Sequence, residues 1–155
     1  MSSGTDRTGE NTRYVGRFAP SPTGPLHFGS LVAAVASFLD ARHHGGTWLV
    51  RMEDLDPPRE QAGADTEILR ALESAGLEWD GPVLYQGTRY EAYGAALSRL
   101  ADAGLSFPCG CTRREIGHGP YPGTCRDGLP ADRQARSLRL RVDDEPVGFT
   151  DAVQG

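Results

Sequence analysis

The 155-residue sequence contains no lysine: all 16 of its basic residues are arginine, set against 21 acids, for a formal net charge of -5. An acidic chain of this kind is not a general nucleic-acid binder, whose footprint is basic overall. Without lysine there is also no Walker A phosphate loop, which ends in G-K-[ST]. No apolar run approaches the roughly 18–20 residues that a membrane span requires. Met1–Thr12 is polar throughout, has no stretch fit for a secretory signal, and is expected to be a disordered tail. Cysteine is scarce and odd in number, three in all, which argues against a disulfide scaffold and for a reducing, cytoplasmic setting. The 20 glycines and 11 prolines follow no period, so collagen is excluded, and 38% hydrophobic residues suffice for one core.

Charge is uneven along the chain. From Glu53 to Asp102 there are 11 acids and 4 arginines; from Cys109 to Arg141 there are 7 arginines and 3 acids. Either run reads as a solvated face, and the second also as a patch that tolerates phosphates. Tyr14–Ala19 reads as a strand and Pro20–Leu26 (P-S-P-T-G-P-L) as a loop. Phe28, Leu31, Val32, Val35, Phe38 and Leu39 recur at helical spacing until Gly45-Gly46 stops them. Thr47–Glu53 is a buried-strand candidate. Strand, loop, helix and strand in about 40 residues make a βαβ unit, with parallel pairing and a right-handed crossover as the default. A second helix is expected from Ala62 to Ala75 and a short strand at Val83–Gln86. A third helix is expected to run to Ala103 behind a Thr88–Glu91 capping box. Beyond Phe107 the texture turns Gly-, Pro- and Cys-rich. Ser137–Val142 alternates as a half-exposed strand, with Val147–Asp151 expected to return as its hairpin partner.

The loop Ala19–Ser30 carries the first chemistry. A strand that runs through a glycine-containing loop into a helix N-terminus is an anion site. Its prolines stiffen it, and Gly24 and Gly29 let a ligand or backbone come close. His27 stands where the helix begins. It either donates to a phosphate oxygen beside the helix dipole or merely caps the helix.

These residues carry a resemblance. R-F-A-P-S-P-T-G-P-L-H-F-G-S, Arg17–Ser30, resembles the first signature of class I aminoacyl-tRNA synthetases in its glutamate-type form, and Arg51–Asp56 (R-M-E-D-L-D) resembles the acidic motif that follows it. The variants H-F-G-S and D-P-P-R-E (Asp56–Glu60) are similar to the glutamyl-queuosine tRNA(Asp) branch of that family. The resemblance implies an α/β fold, the N-terminal half of a Rossmann-like parallel sheet over residues 13–107. A zinc-stapled loop region and a short β-hairpin would follow over 108–155. It implies ATP- and Mg²⁺-dependent activation of L-glutamate and transfer to queuosine in the anticodon of aspartate tRNA. By that resemblance Arg17, Ala19, Ser21 and Glu53 bind glutamate, and a guanidinium suits its planar carboxylate. Pro20, Thr23, Gly24, His27, Gly29 and Ser30 line the ATP region, with His27 catalytic through electrostatics. Ser30 stands where the signature's second histidine would be. Asp54 and Asp56 read equally as polar caps on the following turn.

Cys109-Gly-Cys111 followed by Tyr121-x₃-Cys125 supplies three thiolates, one ligand short of a tetrahedral zinc. Ligand chemistry favours His118 as the fourth; the resemblance favours Tyr121. The late lysine motif of class I synthetases does not occur, so the sequence is expected to be an N-terminal fragment that is inactive alone. Three alternatives remain at this point: part of an ordinary glutamyl-tRNA synthetase, a non-catalytic zinc-stapled module that binds RNA or protein, and another nucleotidyl-transferring α/β enzyme.

Overall fold

Alternation sets the first strand. In β1 (Val15–Phe18) Gly16 and Phe18 turn inward and Val15 and Arg17 outward, the two-residue period of a strand with one covered face. The apolar stripe after the proline-rich loop becomes α1 (Phe28–His43), and after Gly45-Gly46 the chain enters β2 (Thr47–Met52), where Trp48, Val50 and Met52 are buried. β1 and β2 pair in parallel, Val15 opposite Thr47 and Phe18 opposite Val50, as the strand–helix–strand order implied. A two-residue strand β3 (Leu84–Tyr85) joins the other edge of β2, also in parallel, giving the order β1-β2-β3. The structure, a computed structural model, describes residues 13–143 and 145–151; the tail expected at 1–12 lies outside the described residues. The chain divides into two compact units, one up to Tyr90 and one from Glu91 onward.

In the first unit α1 lies against the sheet because Gly16 has no side chain. A Cβ there would stand 2.9 Å from the Ala41 Cβ and 3.1 Å from the Ser37 carbonyl oxygen. Ala34 and Ala41 are fully buried under the helix, and Phe38 meets Trp48 edge-on at 5.2 Å between ring centroids. Burial of side chains such as Trp48, Val50, Met52 and Leu72 contributes about 1.5–3 kcal/mol each. The Trp48 indole N–H is not left unpaired: it donates to Ser37 Oγ at 2.9 Å. Helix α2 (Ala64–Ser74) presents Ala64, Ile68 and Leu72 inward, one side chain per turn. Asp80 locks the start of β2. Its Oδ2 accepts the Trp48 N–H at 2.7 Å and the Arg42 guanidinium at 2.6 Å, while Arg42 also donates to the Glu78 carbonyl. Those bonds hold the Asp80 carboxyl below its ordinary range.

The second unit takes most of α3 (Tyr90–Asp102), then β4 (Ser106–Cys109), α4 (Arg113–Ile116) and β5 (Ser137–Leu140). Its core is Phe107 with the three cysteines, against which Ile116, Tyr121 and Leu129 pack. Two expectations are corrected here. The Thr88–Glu91 capping box does not form: Thr88 sits in a 3₁₀ turn (Gln86–Arg89) and donates its hydroxyl to the Tyr85 carbonyl at 2.7 Å. A capping box forms instead at Thr112–Glu115, with both reciprocal bonds present, at the head of α4. The hairpin partner expected at Val147–Asp151 is not a strand. β5 pairs antiparallel with β4, Cys109 opposite Ser137, because β4 offers a buried apolar face whereas Val147 and Phe149 stay exposed. No helix among the described residues is long and apolar enough to cross a membrane.

Candidate functional site

Two places carry the residues singled out in the sequence, one in each unit. The first is the carboxyl end of the parallel strands, where open α/β sheets bind ligands. β1 ends at Phe18 and β2 at Met52, and the chain continues their alignment for one more bond, Glu53 N–H to the Pro20 carbonyl at 2.9 Å. The proline-rich loop is then pinned from outside its own sequence. Gln61 donates its backbone N–H to the Pro22 carbonyl at 2.9 Å and its side-chain amide to the Thr23 carbonyl at 2.8 Å, and that side chain also lies beside Gly24. Within the loop, Thr23 N–H reaches back to the Ser21 carbonyl at 2.8 Å. Pro20 is buried, Ala19 half-buried, and Ser21 and Thr23 exposed.

His27 is the N-cap of α1. Its Nδ1 accepts the Ser30 N–H at 3.2 Å, and its Nε2 lies 3.0 Å from Ser30 Oγ. Because Nδ1 accepts, the neutral ring carries its proton on Nε2, the nitrogen that faces the serine hydroxyl. Ser30 therefore occupies the histidine's free nitrogen, and the ring also lies 3.3 Å from where a Cβ on Gly29 would be. The side chain is exposed at the helix N-terminus.

Arg17 and Glu53 share the sheet face opposite α1. Arg17 lines a cleft of about 560 Å³ with Leu49, Arg51, Pro82, Val83 and Leu84, and it forms no ion pair among the described residues. Glu53 instead pairs with Arg51, Nη2 to Oε1 at 2.5 Å. That cleft does not include Ser21, His27 or Glu53. Only Asp56 closes the following turn, with Arg59; Asp54 does not cap that turn but accepts the Gly87 N–H at 2.8 Å from a distant segment. Gln61, which ties the two loops together, was not signalled by any motif; it follows the D-P-P-R-E run directly.

The second place is the cysteine cluster. Cys109, Cys111 and Cys125 are buried, unbridged, and have sulfurs within 4.8 Å of one another. The Tyr121 Oη lies 3.4 Å from Cys109 Sγ and 3.7 Å from Cys111 Sγ, and Cys111 and Cys125 are 3.7 Å apart. Ligands about 2.3 Å from a tetrahedral ion stand about 3.8 Å from each other, so these spacings fit a shared zinc. His118 is exposed and does not belong to the group. Gly110 makes the C-x-C bend possible: a Cβ on it would stand 2.8 Å from the Gln134 carbonyl oxygen. Burial pushes the Cys109 thiol up, but hydrogen bonds with Tyr121, the Cys111 backbone N–H, Arg139 and Cys111 Sγ outweigh it and bring the pKa down to about 6. Burial and the neighbouring Cys109 sulfur push the Tyr121 phenol well above its ordinary value, while the Cys125 N–H donates to its oxygen at 2.8 Å.

With that geometry, comparison with known proteins is decisive. Residues 14–120 match the model of "tRNA synthetases class I (E and Q), catalytic domain". The chain belongs to this family. A glutamyl-Q tRNA(Asp) synthetase of Dechloromonas aromatica (strain RCB) is 61% identical over 155 residues, covering 94% of this chain and 52% of that protein. One from Geobacter sulfurreducens is 57% identical, covering 91% of this chain and 48% of its own length. The chain thus spans about half the length of the curated relatives it matches. Among solved structures, a glutamate-tRNA synthetase from Elizabethkingia anophelis is 33% identical with a TM-score of 0.62, over 68% of this chain and 23% of that one. The class I synthetase resemblance carried by Arg17–Ser30 and Arg51–Asp56 is thereby established.

Proposed function

We propose that this chain is the amino-acid-activating half of a longer cytoplasmic ligase that attaches glutamate to queuosine in aspartate tRNA. The observation that carries the reading is its much higher identity to glutamyl-Q tRNA(Asp) synthetases than to the glutamate-tRNA synthetase structures. On this reading residues 13–107 hold the substrates and 108–155 the zinc region. The glutamate α-carboxylate attacks the α-phosphorus of ATP in line, pyrophosphate leaves, and the acyl group passes from the adenylate to the modified base. Mg²⁺ bound with ATP would supply neutralising charge to its phosphates.

Arg17 takes a substrate carboxylate in a bidentate clamp, for which its place on the open sheet face, without an ion pair among the described residues, prepares it. Glu53, with Ala19 and Ser21 at the loop, receives the substrate ammonium once Arg51 yields to it. His27 gives up Ser30 and turns its Nε2–H to a phosphate oxygen. There it acts with the α1 N-terminus as fixed positive potential rather than as an acid. Pro20, Thr23, Gly24, Gly29 and Ser30 shape that phosphate bed. Cys109, Cys111, Cys125 and Tyr121 would hold Zn²⁺, which supplies structural cross-linking to a unit with a small core. The test uses a full-length protein carrying this sequence. Glutamate-dependent pyrophosphate exchange and glutamylation of queuosine-containing aspartate tRNA are expected. Aspartate tRNA lacking queuosine should not be charged, and Arg17→Ala should raise the glutamate KM. Equal charging of ordinary glutamate tRNA would overturn the reading.

A further inference from the structure

β5 is turned inside out for a strand on a core. Its leucines, Leu138 and Leu140, are 44% and 56% exposed, whereas Arg139 on the opposite side is half-buried. An amphipathic strand ordinarily does the reverse, because exposing leucine and drawing guanidinium out of water both cost free energy. The arginines are inside because of what they meet there. The Arg139 guanidinium lies 4.3 Å above the Tyr121 ring, and its Nε is buried without a hydrogen-bond partner. From the preceding loop, Arg133 Nη1 donates to Cys111 Sγ at 3.6 Å and Arg133 Nη2 pairs with Glu115 Oε1 at 2.8 Å. Two cations thus bracket the cluster, one on each side of the C-x-C bend. Both come from sequence that follows Cys125.

Three thiolates around one divalent cation carry a net charge of about -1 inside the unit, which is costly unless compensated. We infer that Arg139 and Arg133 are the counter-charges of this centre: they hold its excess negative charge and thereby set its affinity for a divalent thiophilic cation. They are positioning residues, since neither has a free lone pair for a metal. Arg133 passes the constraint on through Glu115, whose carboxylate also closes the α4 capping box. The inference rests on the zinc reading of the cluster.

The experiment is a competition titration of the 155-residue chain with a chromophoric zinc chelator at neutral pH. Wild type should bind one Zn²⁺ per chain. Arg139→Gln and Arg133→Gln should each weaken zinc binding by about 10–100-fold, the usual loss for removing a partner of a metal ligand. Arg136→Gln, which removes an exposed arginine of the same segment, should not. Arg139→Lys keeps the charge and should bind more tightly than Arg139→Gln; Arg139→Met keeps the length alone and should not. Should Arg139→Gln fail to fold, Arg133→Gln gives the same reading. Wild-type affinity in both glutamine variants, or recovery by Met but not Lys, overturns the inference and leaves the zinc reading standing. A wild-type chain that binds no zinc overturns both.

Discussion

At the scale of single residues, His27 has a capping role and a proposed phosphate-binding role that substitution can separate. As N-cap it satisfies the Ser30 N–H, and loss of a cap costs typically about 1 kcal/mol. As a phosphate partner it needs an imidazole N–H. His27→Ala should therefore lower both the stability of the 155-residue chain and pyrophosphate exchange in the full-length protein. His27→Asn places one of the best capping side chains there, so it should recover most of the stability but none of the exchange rate. Denaturant melts and exchange kinetics on the three proteins decide it. If asparagine restores exchange as well, His27 acts only by ordering the helix. The sequence left these two readings open because a ring at a helix start serves either, and only the engagement of both nitrogens with Ser30 shows that the cap is made in the resting chain.

At the scale of elements, legibility follows the range of the interactions. β1, α1 and β2 were readable because period 2, period 3.6 and Gly45-Gly46 are local signals, and a right-handed parallel crossover then leaves little choice. β4 was not, because Pro108 stands in a four-residue S-F-P-C run and breaks the strand pattern; a two-stranded sheet has only edges, where proline is tolerated. The capping-box rule was sound but was applied to Thr88, where the chain turns, while the same T-x-x-E spacing at Thr112–Glu115 sits in a glycine-rich stretch with no apolar period behind it. Of the candidate sites, cysteines and signature residues were visible. Gln61, Asp80, Arg133 and Arg139 were not, since each meets its partner only once distant segments fold together. The Thr112 box has a pH signature. Hydrogen bonds from the Thr112 backbone and hydroxyl, then from Arg133, outweigh partial burial and hold Glu115 down at about 2. A folded value below the ordinary carboxylate pKa of about 4.3 means that this contribution is fully present above that value. It is then lost as pH falls toward about 2. The Glu115 carboxyl carbon shift should accordingly titrate near the lower value in the folded chain, and Arg133→Gln should raise it. A midpoint at the ordinary carboxylate value in the folded wild type would show that the cap carries no charge-dependent stability.

For the whole molecule, the two units stand on different foundations. The first buries Trp48, Val50, Met52, Ile68 and Leu72 and has the Asp80–Arg42 clamp, a hydrophobic core with a polar lock. Among the described residues, the second buries one large side chain, Phe107, and otherwise three cysteines; α3 has no buried residue. A core of that size does not offset the conformational entropy of the residues it orders, and small domains of this kind rely on disulfides or metals. Here the cysteines are free, so the proposed divalent ion would be the remaining cross-link, tying the C-x-C bend to Tyr121 and Cys125. Binding energy at such a site is folding energy. Removal of zinc with a strong chelator should therefore unfold the second unit and spare the first. In hydrogen exchange, the amides of β4, β5 and α4 should lose protection while those of β1, α1 and β2 keep it. Cys125→Ala should reproduce the chelator's effect without chelator, and its second unit should not respond to added zinc. Equal loss of protection in both units would mean that they fold as one cooperative body, and unchanged protection in both would mean that the cysteine cluster contributes packing alone.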